Sequence, residues 1–149
     1  SLASMITCFT LAHSLTLALA ALDVVTLPAK IVEPTIAATL VAVGVDNLIR
    51  GHDPRHRGIL VFGFGLVHGL GFADALRPVG LGHRGSAVIV PLLSFNLGVE
   101  LGQLTVAALA FALLTLVRQH PRWSGWVTKL TSVGVVLAGV WWFAIRIAR

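Results

Sequence analysis

The chain has 149 residues, of which 56% are hydrophobic and 11% charged, and its mean hydropathy is +0.90. A soluble domain carries about 25% charged residues, so too few are present to cover a water-facing surface; lipid is the expected solvent and the length suits one polytopic domain. The net charge of +5 does not point to nucleic acid, because Lys and Arg sit in short connections between apolar runs and no basic stripe alternates with aromatics.

The apolar runs are continuous rather than alternating, and lipid tolerates only helices or closed barrels. They predict an all-α fold, a polytopic bundle of about five transmembrane helices in one domain. The first span covers 2–22 and contains the single cysteine, Cys8. A lone cysteine excludes an intrachain disulfide, and in this run it reads as a small buried hydrophobe. The chain opens at Ser1, already beside the run, with neither an initiator Met nor a signal-peptide pattern, so upstream sequence is expected. The second span covers 28–49; Pro28 suits a first helical position and Pro34 predicts a kink. The remaining spans cover 58–76, 87–117 and 126–145. The fourth is longer than a bilayer requires and should tilt or project.

Connections over 50–57, 77–86 and 118–124 carry most of the charge. Arg50, Arg55, Arg57, Arg118 and Arg122 fall on one side of the membrane, against Lys30, Arg77, Arg84, Arg146 and Arg149 on the other. This small bias places the first set in the cytoplasm. An internal echo is also present. Phe9-Thr-Leu-Ala-His-Ser-Leu15 matches Phe64-Gly-Leu-Val-His-Gly-Leu70 at Phe, Leu, His and Leu, and one hairpin separates the two, so they cross in the same direction, as a duplicated helix pair would.

Polar side chains inside hydrocarbon cost about 2.5–3.5 kcal/mol when ionisable and need a partner or a purpose. In the fourth span Asn96, Glu100 and Gln103 follow i, i+4, i+7 and share one face within about 60°. Asn and Gln suffice as interhelical glue, whereas Glu100 is an expensive choice for that task. The first span presents Thr7, Thr10, His13 and Ser14 over about 120° of its surface. The third contains His68 beside a small-xxx-small ridge of Gly65, Gly69 and Ala73, which predicts close approach by another helix with the imidazole turned toward it. Asp74 lies near that helix end. In the second span Glu33 precedes Pro34 and can pair with Lys30, and Asn47 lies on the same face further along. Two mid-membrane histidines and a carboxylate suit a transition metal or a proton site, since imidazole binds nickel, zinc, copper and iron and oxygen ligands can complete the shell.

Phe9-Thr-Leu-Ala-His-Ser-Leu-Thr-Leu17, Val32-Glu33, Gly65-Leu-Val-His-Gly-Leu-Gly-Phe72 and Phe95-Asn-Leu-Gly-Val-Glu-Leu-Gly-Gln103 together resemble the HupE/UreJ family, over four spans and in the family's order. The resemblance implies a polytopic protein of the bacterial inner membrane, associated with hydrogenase and urease maturation, in a family regarded as nickel permeases. By position its His motifs fall on His13 and His68, and its Asn/Glu/Gln motif on Asn96, Glu100 and Gln103. The family's earlier helix, with a Gly-x-Asp-His-x-x-Phe pattern, is not in this chain. With it the bundle would have six helices, and part of the site would lie upstream.

The leading expectation is a permease or binding protein for a divalent transition metal, above all nickel. His13 and His68 would coordinate the ion, Glu100 would neutralise it, and Asn96 and Gln103 would orient the ligands. Ser14, Glu33, Asp74 and Asn47 form a second tier. Neutral imidazole is the ligand form, so uptake should weaken as pH falls through the histidine range. No tightly bound cofactor is expected: the metal ion is cargo. The expected partners are membrane lipids, with a second copy or partner membrane subunits. The competing expectation is a structural or assembly subunit that uses Trp141-Trp142 as an interface belt. An enzyme is not expected, because Ser14 points about 100° away from His13 and Ser94 lies opposite Glu100, so no base activates either hydroxyl.

Overall fold

The computed structural model describes residues 2–49, 54–76, 89–118 and 121–148. All of the ordered elements among them are helices: α1 (Leu2–Ala21), α2 (Ala29–Ile49), α3 (Pro54–Leu76), α4 (Ile89–Arg118) and α5 (Pro121–Ile147). Ala3–Ala21, Ala29–Ile49, Ile89–Val117 and Lys129–Ile147 are each long and apolar enough to cross a membrane, whereas the apolar stretch of α3, Arg57–Ala73, is shorter. α3 itself is long enough at about 1.5 Å per residue. Its apolar part is cut back by the basic turn at its start and by Asp74 near its end.

α3 and α5 both begin earlier than their apolar patterns do, and both begin on a proline, Pro54 and Pro121. Proline's fixed φ suits a first helical position, where its missing N–H has no intrahelical partner to lose. α5 also runs on through Arg146 to Ile147, which turns a residue expected beyond the span into part of its last turn. Between α1 and α2 the chain reverses through Asp23, whose φ is 56°. That left-handed geometry is tolerated by Asp, and the Val24 amide then donates to the Leu19 carbonyl at 2.9 Å, capping α1.

Packing builds two tight pairs. Gly65 of α3 faces Phe9 and Ala12 of α1, and Gly69 faces His13 and Thr16. Both sets of numbers rise together, so α1 and α3 run parallel. A Cβ on Gly65 would lie 2.7 Å from the Phe9 carbonyl oxygen and 2.7 Å from the Ala12 Cβ, which is why glycine stands there. α2 and α5 form the second pair and run antiparallel, with Gly44 against Ser132 and Val136 and Gly139 against Leu40 and Val41. The α2–α3 hairpin joins the pairs, and Ile36 packs on Gly71. α4 lies along α1 in the opposite direction, its Leu92 and Phe95 against Leu17, Ala20 and Ala73.

Most of the remaining large apolar side chains face outward. On α4 these include Leu93, Leu97, Leu101, Leu109, Phe111 and Leu113. In water such a surface would aggregate; in hydrocarbon it is at home. Apart from Leu17 and Val32, what is buried is mostly small or polar: Ala12, Ala20, Ala37 and Ala73 together with Thr10, His13, Thr39 and Ser132. A membrane bundle packs this way, because lipid tails are as apolar as leucine and close approach and hydrogen bonds hold the helices together.

Candidate functional site

The parallel α1/α3 pair sets His13 and His68 side by side. Gly69 lies against the His13 backbone, so its neighbour His68 occupies the same level of the membrane. The two rings are held alike. His13 Nδ1 lies 3.2 Å from the Phe9 carbonyl oxygen, and His68 Nδ1 lies 2.8 Å from that of Phe64. A carbonyl oxygen can only accept, so in the neutral ring Nδ1 carries the proton and donates, leaving Nε2 as the nitrogen with a free lone pair. The Phe-x-x-x-His spacing of the internal echo is thus a small device that fixes the tautomer on both helices.

α4 brings its polar face to the same place. The Asn96 amide lies close enough to interact with the His13 ring, and His68 and Glu100 lie within range of its charge. Asn96 Nδ2 donates to the Leu92 carbonyl at 2.9 Å. His13 is fully buried, and among the described residues its Nε2 has no hydrogen-bond partner; neither has the buried Asn96 Oδ1. Both are lone-pair acceptors, so neither can satisfy the other. A proton or a cation can satisfy both.

Glu100 and Gln103 reach α1 elsewhere. Thr7 Oγ1 donates to Glu100 Oε1 at 3.4 Å, and Thr10 Oγ1 donates to Gln103 Oε1 at 3.3 Å. The i, i+4, i+7 stripe therefore meets α1 at three separate places, His13, Thr7 and Thr10, rather than converging on one point. Among the described residues, no three His, Cys, Asp or Glu side chains come close enough together to hold a metal ion. A closed shell is not assembled among the described residues; His13 and Asn96 each bring one buried acceptor to this level, with His68 and Glu100 in the surroundings of His13.

The second-tier residues do other things. Ser14 Oγ donates to the Thr10 carbonyl at 2.5 Å, a bond within its own helix that leaves the hydroxyl engaged. Glu33 pairs with Arg146 of α5, Oε2 to Nη1 at 3.0 Å, rather than with Lys30, because α5 carries Arg146 on to the level of Glu33. Asn47 Oδ1 accepts from Arg57 Nη2 at 2.7 Å at the other end of the bundle, where a cavity of about 160 Å³ is lined by Met5, Asp46, Asn47, Arg57 and Phe64. The Asp74 side chain lies outside the described residues. The partners that the sequence pattern did not single out are aromatic: Phe9 touches both imidazoles, with ring centroids 5.5 Å from His13 and 5.2 Å from His68, and Phe72 meets His13 edge-on at 5.7 Å. Their signal was present in the spacing, since Phe9 precedes His13 by four residues and Phe72 follows His68 by four.

Compared with known families, the chain matches the one described as HupE / UreJ protein over residues 1–146. It belongs to the HupE/UreJ family. No curated protein and no solved structure matches it. The match extends over α5 as well as over the four helices that carry the motifs. It agrees with the membrane character of the bundle and with an accessory and transport role for the family.

Proposed function

We propose that this HupE/UreJ protein is a permease or binding protein of the bacterial inner membrane for a divalent transition metal, with nickel the leading cargo. One observation carries the reading. Two ligand-type atoms, His13 Nε2 and Asn96 Oδ1, are buried within the membrane span and have no partner among the described residues. Burying such groups unsatisfied costs about 1–3 kcal/mol each, a cost that makes sense if a positively charged guest visits them. Imidazole nitrogen with amide and carboxylate oxygen is a donor set for a borderline ion such as nickel, not for magnesium or calcium. His68 supplies the second nitrogen, Glu100 the negative charge, and Gln103 a further oxygen along α4. The association of the family with hydrogenase and urease maturation supports nickel. The bundle turns the start of α1 to the cytoplasm, lipid surrounds it, and the ion is cargo rather than a resident cofactor.

The test is nickel accumulation by cells producing the full-length protein. The parent should accumulate nickel, and His13→Ala, His68→Ala and Glu100→Gln should each fall toward the level of cells without it. Variants that accumulate like the parent would remove the proposal. Because neutral imidazole is the binding form and protons compete with the metal for the same nitrogen, accumulation should also decline as pH falls.

A second reading, an assembly subunit of a larger membrane complex, is favoured by the outer face of α4. Gly98 and Gly102, the latter at the edge of the groove beside Phe9, have nothing within 4 Å of a Cβ position, which leaves a small-xxx-small ridge open to another helix. Stable co-purification with partner subunits, without nickel binding, would select this reading.

A further inference from the structure

Along the bundle axis, aromatic rings stand one turn away from the histidine level on each side. Toward the end of the bundle that holds Met5, Asn47 and Arg57 the ring is Phe9, whose centroid lies 5.5 Å from that of His13 and 5.2 Å from that of His68. Toward the end that holds Glu33 and Arg146 the ring is Phe72. It meets His13 at 5.7 Å and an interplanar angle of 77° and is backed by Phe95 at 5.3 Å. Spacing produces the arrangement. Residues four apart stack one turn above another on a helix, and α1 and α3 are parallel and in register. Phe9 therefore sits one turn to one side of the imidazoles, and Phe72 one turn to the other.

Beyond each ring polar groups begin. On the Phe9 side lies the cavity of about 160 Å³ lined by Asp46, Asn47, Arg57 and Phe64. On the Phe72 side Glu33 and Arg146 pair across α2 and α5. The rings thus stand between these polar ends and the histidine level, with the Thr7–Glu100 and Thr10–Gln103 pairs beside Phe9 on the side where α4 lies.

We propose that Phe9 and Phe72 are the two hydrophobic plugs of the cation path, each closing the histidine level from one face of the membrane. The inference rests on the proposed cation site and adds its two doors. A dry aromatic constriction stops a hydrated ion by excluding its water, and opening one plug at a time gives alternating access to a fixed site. The two plugs are not equivalent. Phe9 borders an apolar groove of about 600 Å³ between α1, α3 and α4, lined also by Met5, Ile6, Val61 and Gln103, so its ring has space to turn into. Phe72 is held between His13 and Phe95. Phe9 is the readier plug, and the site opens first toward the Asn47–Arg57 end.

A thiol reporter tests the plugs without any metal. Cys8→Ala removes the native thiol and His13→Cys places one at the site in the full-length protein reconstituted in vesicles. A membrane-impermeant, charged methanethiosulfonate reagent is added from one side or the other. The reporter alone should react slowly from both sides. Adding Phe9→Ala should raise the rate by about tenfold or more from the Asn47–Arg57 side only, and Phe72→Ala should do so from the Glu33–Arg146 side only, as removal of a dewetting constriction predicts. Rates that rise from both sides in either variant, or that neither variant changes, overturn the proposal. If an alanine variant fails to assemble, Phe9→Val and Phe72→Val remove less volume and should show the same one-sided change. Nickel binding by the parent chain is measured separately: its absence would overturn the cargo and not the plugs, while unchanged thiol rates beside intact nickel binding would overturn the plugs and not the cargo.

Discussion

His13 Nδ1 lies 3.2 Å from the carbonyl oxygen of Phe9, one turn back on its own helix, and this single bond decides which face of the imidazole is available. With Nδ1 committed as a donor, Nε2 presents a lone pair into a fully buried space, near the amide of Asn96. Hydrogen-bonding one ring nitrogen fixes a histidine's tautomer and orientation. Here a backbone carbonyl does it, on both α1 and α3.

Asn96→Leu should separate stability from binding. It removes the buried, unpartnered Oδ1 and gives up only the Nδ2 bond to the Leu92 carbonyl, so the empty protein should gain about 1 kcal/mol in detergent. Nickel affinity should fall about 10- to 100-fold. Thermal unfolding with and without nickel reads both quantities. A variant less stable than the parent when empty would mean that Oδ1 is already satisfied.

The glycine ridge makes a contrast within one protein. A Cβ at Gly69 would meet the His13 carbonyl and the Thr16 hydroxyl, and the first of these is backbone that cannot step aside. Gly69→Ala should cost about 1–3 kcal/mol through overpacking and push His13 and His68 apart. Gly102, on the open face of α4, has nothing within 4 Å. Gly102→Ala should instead be neutral or stabilising by about 0.5–1 kcal/mol, from helix propensity alone. Equal effects of the two substitutions on unfolding temperature would contradict the packing of α1 on α3.

Much of this was legible in the sequence, for physical reasons. Hydrocarbon as solvent writes itself into composition, so the apolar runs read as five helices, and the cost of polar groups in lipid singled out His13, His68, Asn96, Glu100 and Gln103 without any neighbour in view. The echo between Phe9–Leu15 and Phe64–Leu70 anticipated two segments crossing in one direction; the structure sets them side by side. Other features depend on what only packing decides. Lys30 is near Glu33 in sequence, yet Arg146 is the partner, because α5 extends past its apolar pattern and runs antiparallel to α2. The pairing of Glu100 with Thr7 and of Gln103 with Thr10 likewise follows from how α4 lies on α1 and not from the spacing on α4. α3 and α5 start early because a proline can open a helix before its apolar face begins.

The Glu33–Arg146 pair ties α2 to α5 with side chains that remain partly accessible, 27% for Arg146 and 38% for Glu33. Pairs with that degree of exposure contribute little. A double-mutant cycle with Glu33→Gln and Arg146→Gln should give a coupling energy below about 1 kcal/mol, and nickel accumulation should stay within about twofold of the parent, since surface substitutions remote from a site act weakly. A large loss of accumulation in either single variant at normal stability would move this pair into the transport path.

Glu100 allows charge and packing to be told apart. Its Oε1 accepts from Thr7 Oγ1 at 3.4 Å, a long bond that an amide oxygen could accept equally well. Glu100→Gln should therefore leave the α1–α4 contact and the unfolding temperature nearly unchanged. What it removes is the negative charge near the His13 and His68 level, and nickel accumulation should drop by about tenfold or more if that charge offsets the dehydration of a divalent ion. Thr7→Val makes the opposite cut: it keeps the charge and deletes the bond, costing about 0.6 kcal/mol as interhelical hydrogen bonds in membranes do, with accumulation reduced by less than about twofold. If the two variants instead lose accumulation and stability together and by similar amounts, Glu100 serves as interhelical glue and the site at His13 and Asn96 must work without a counter-charge from α4.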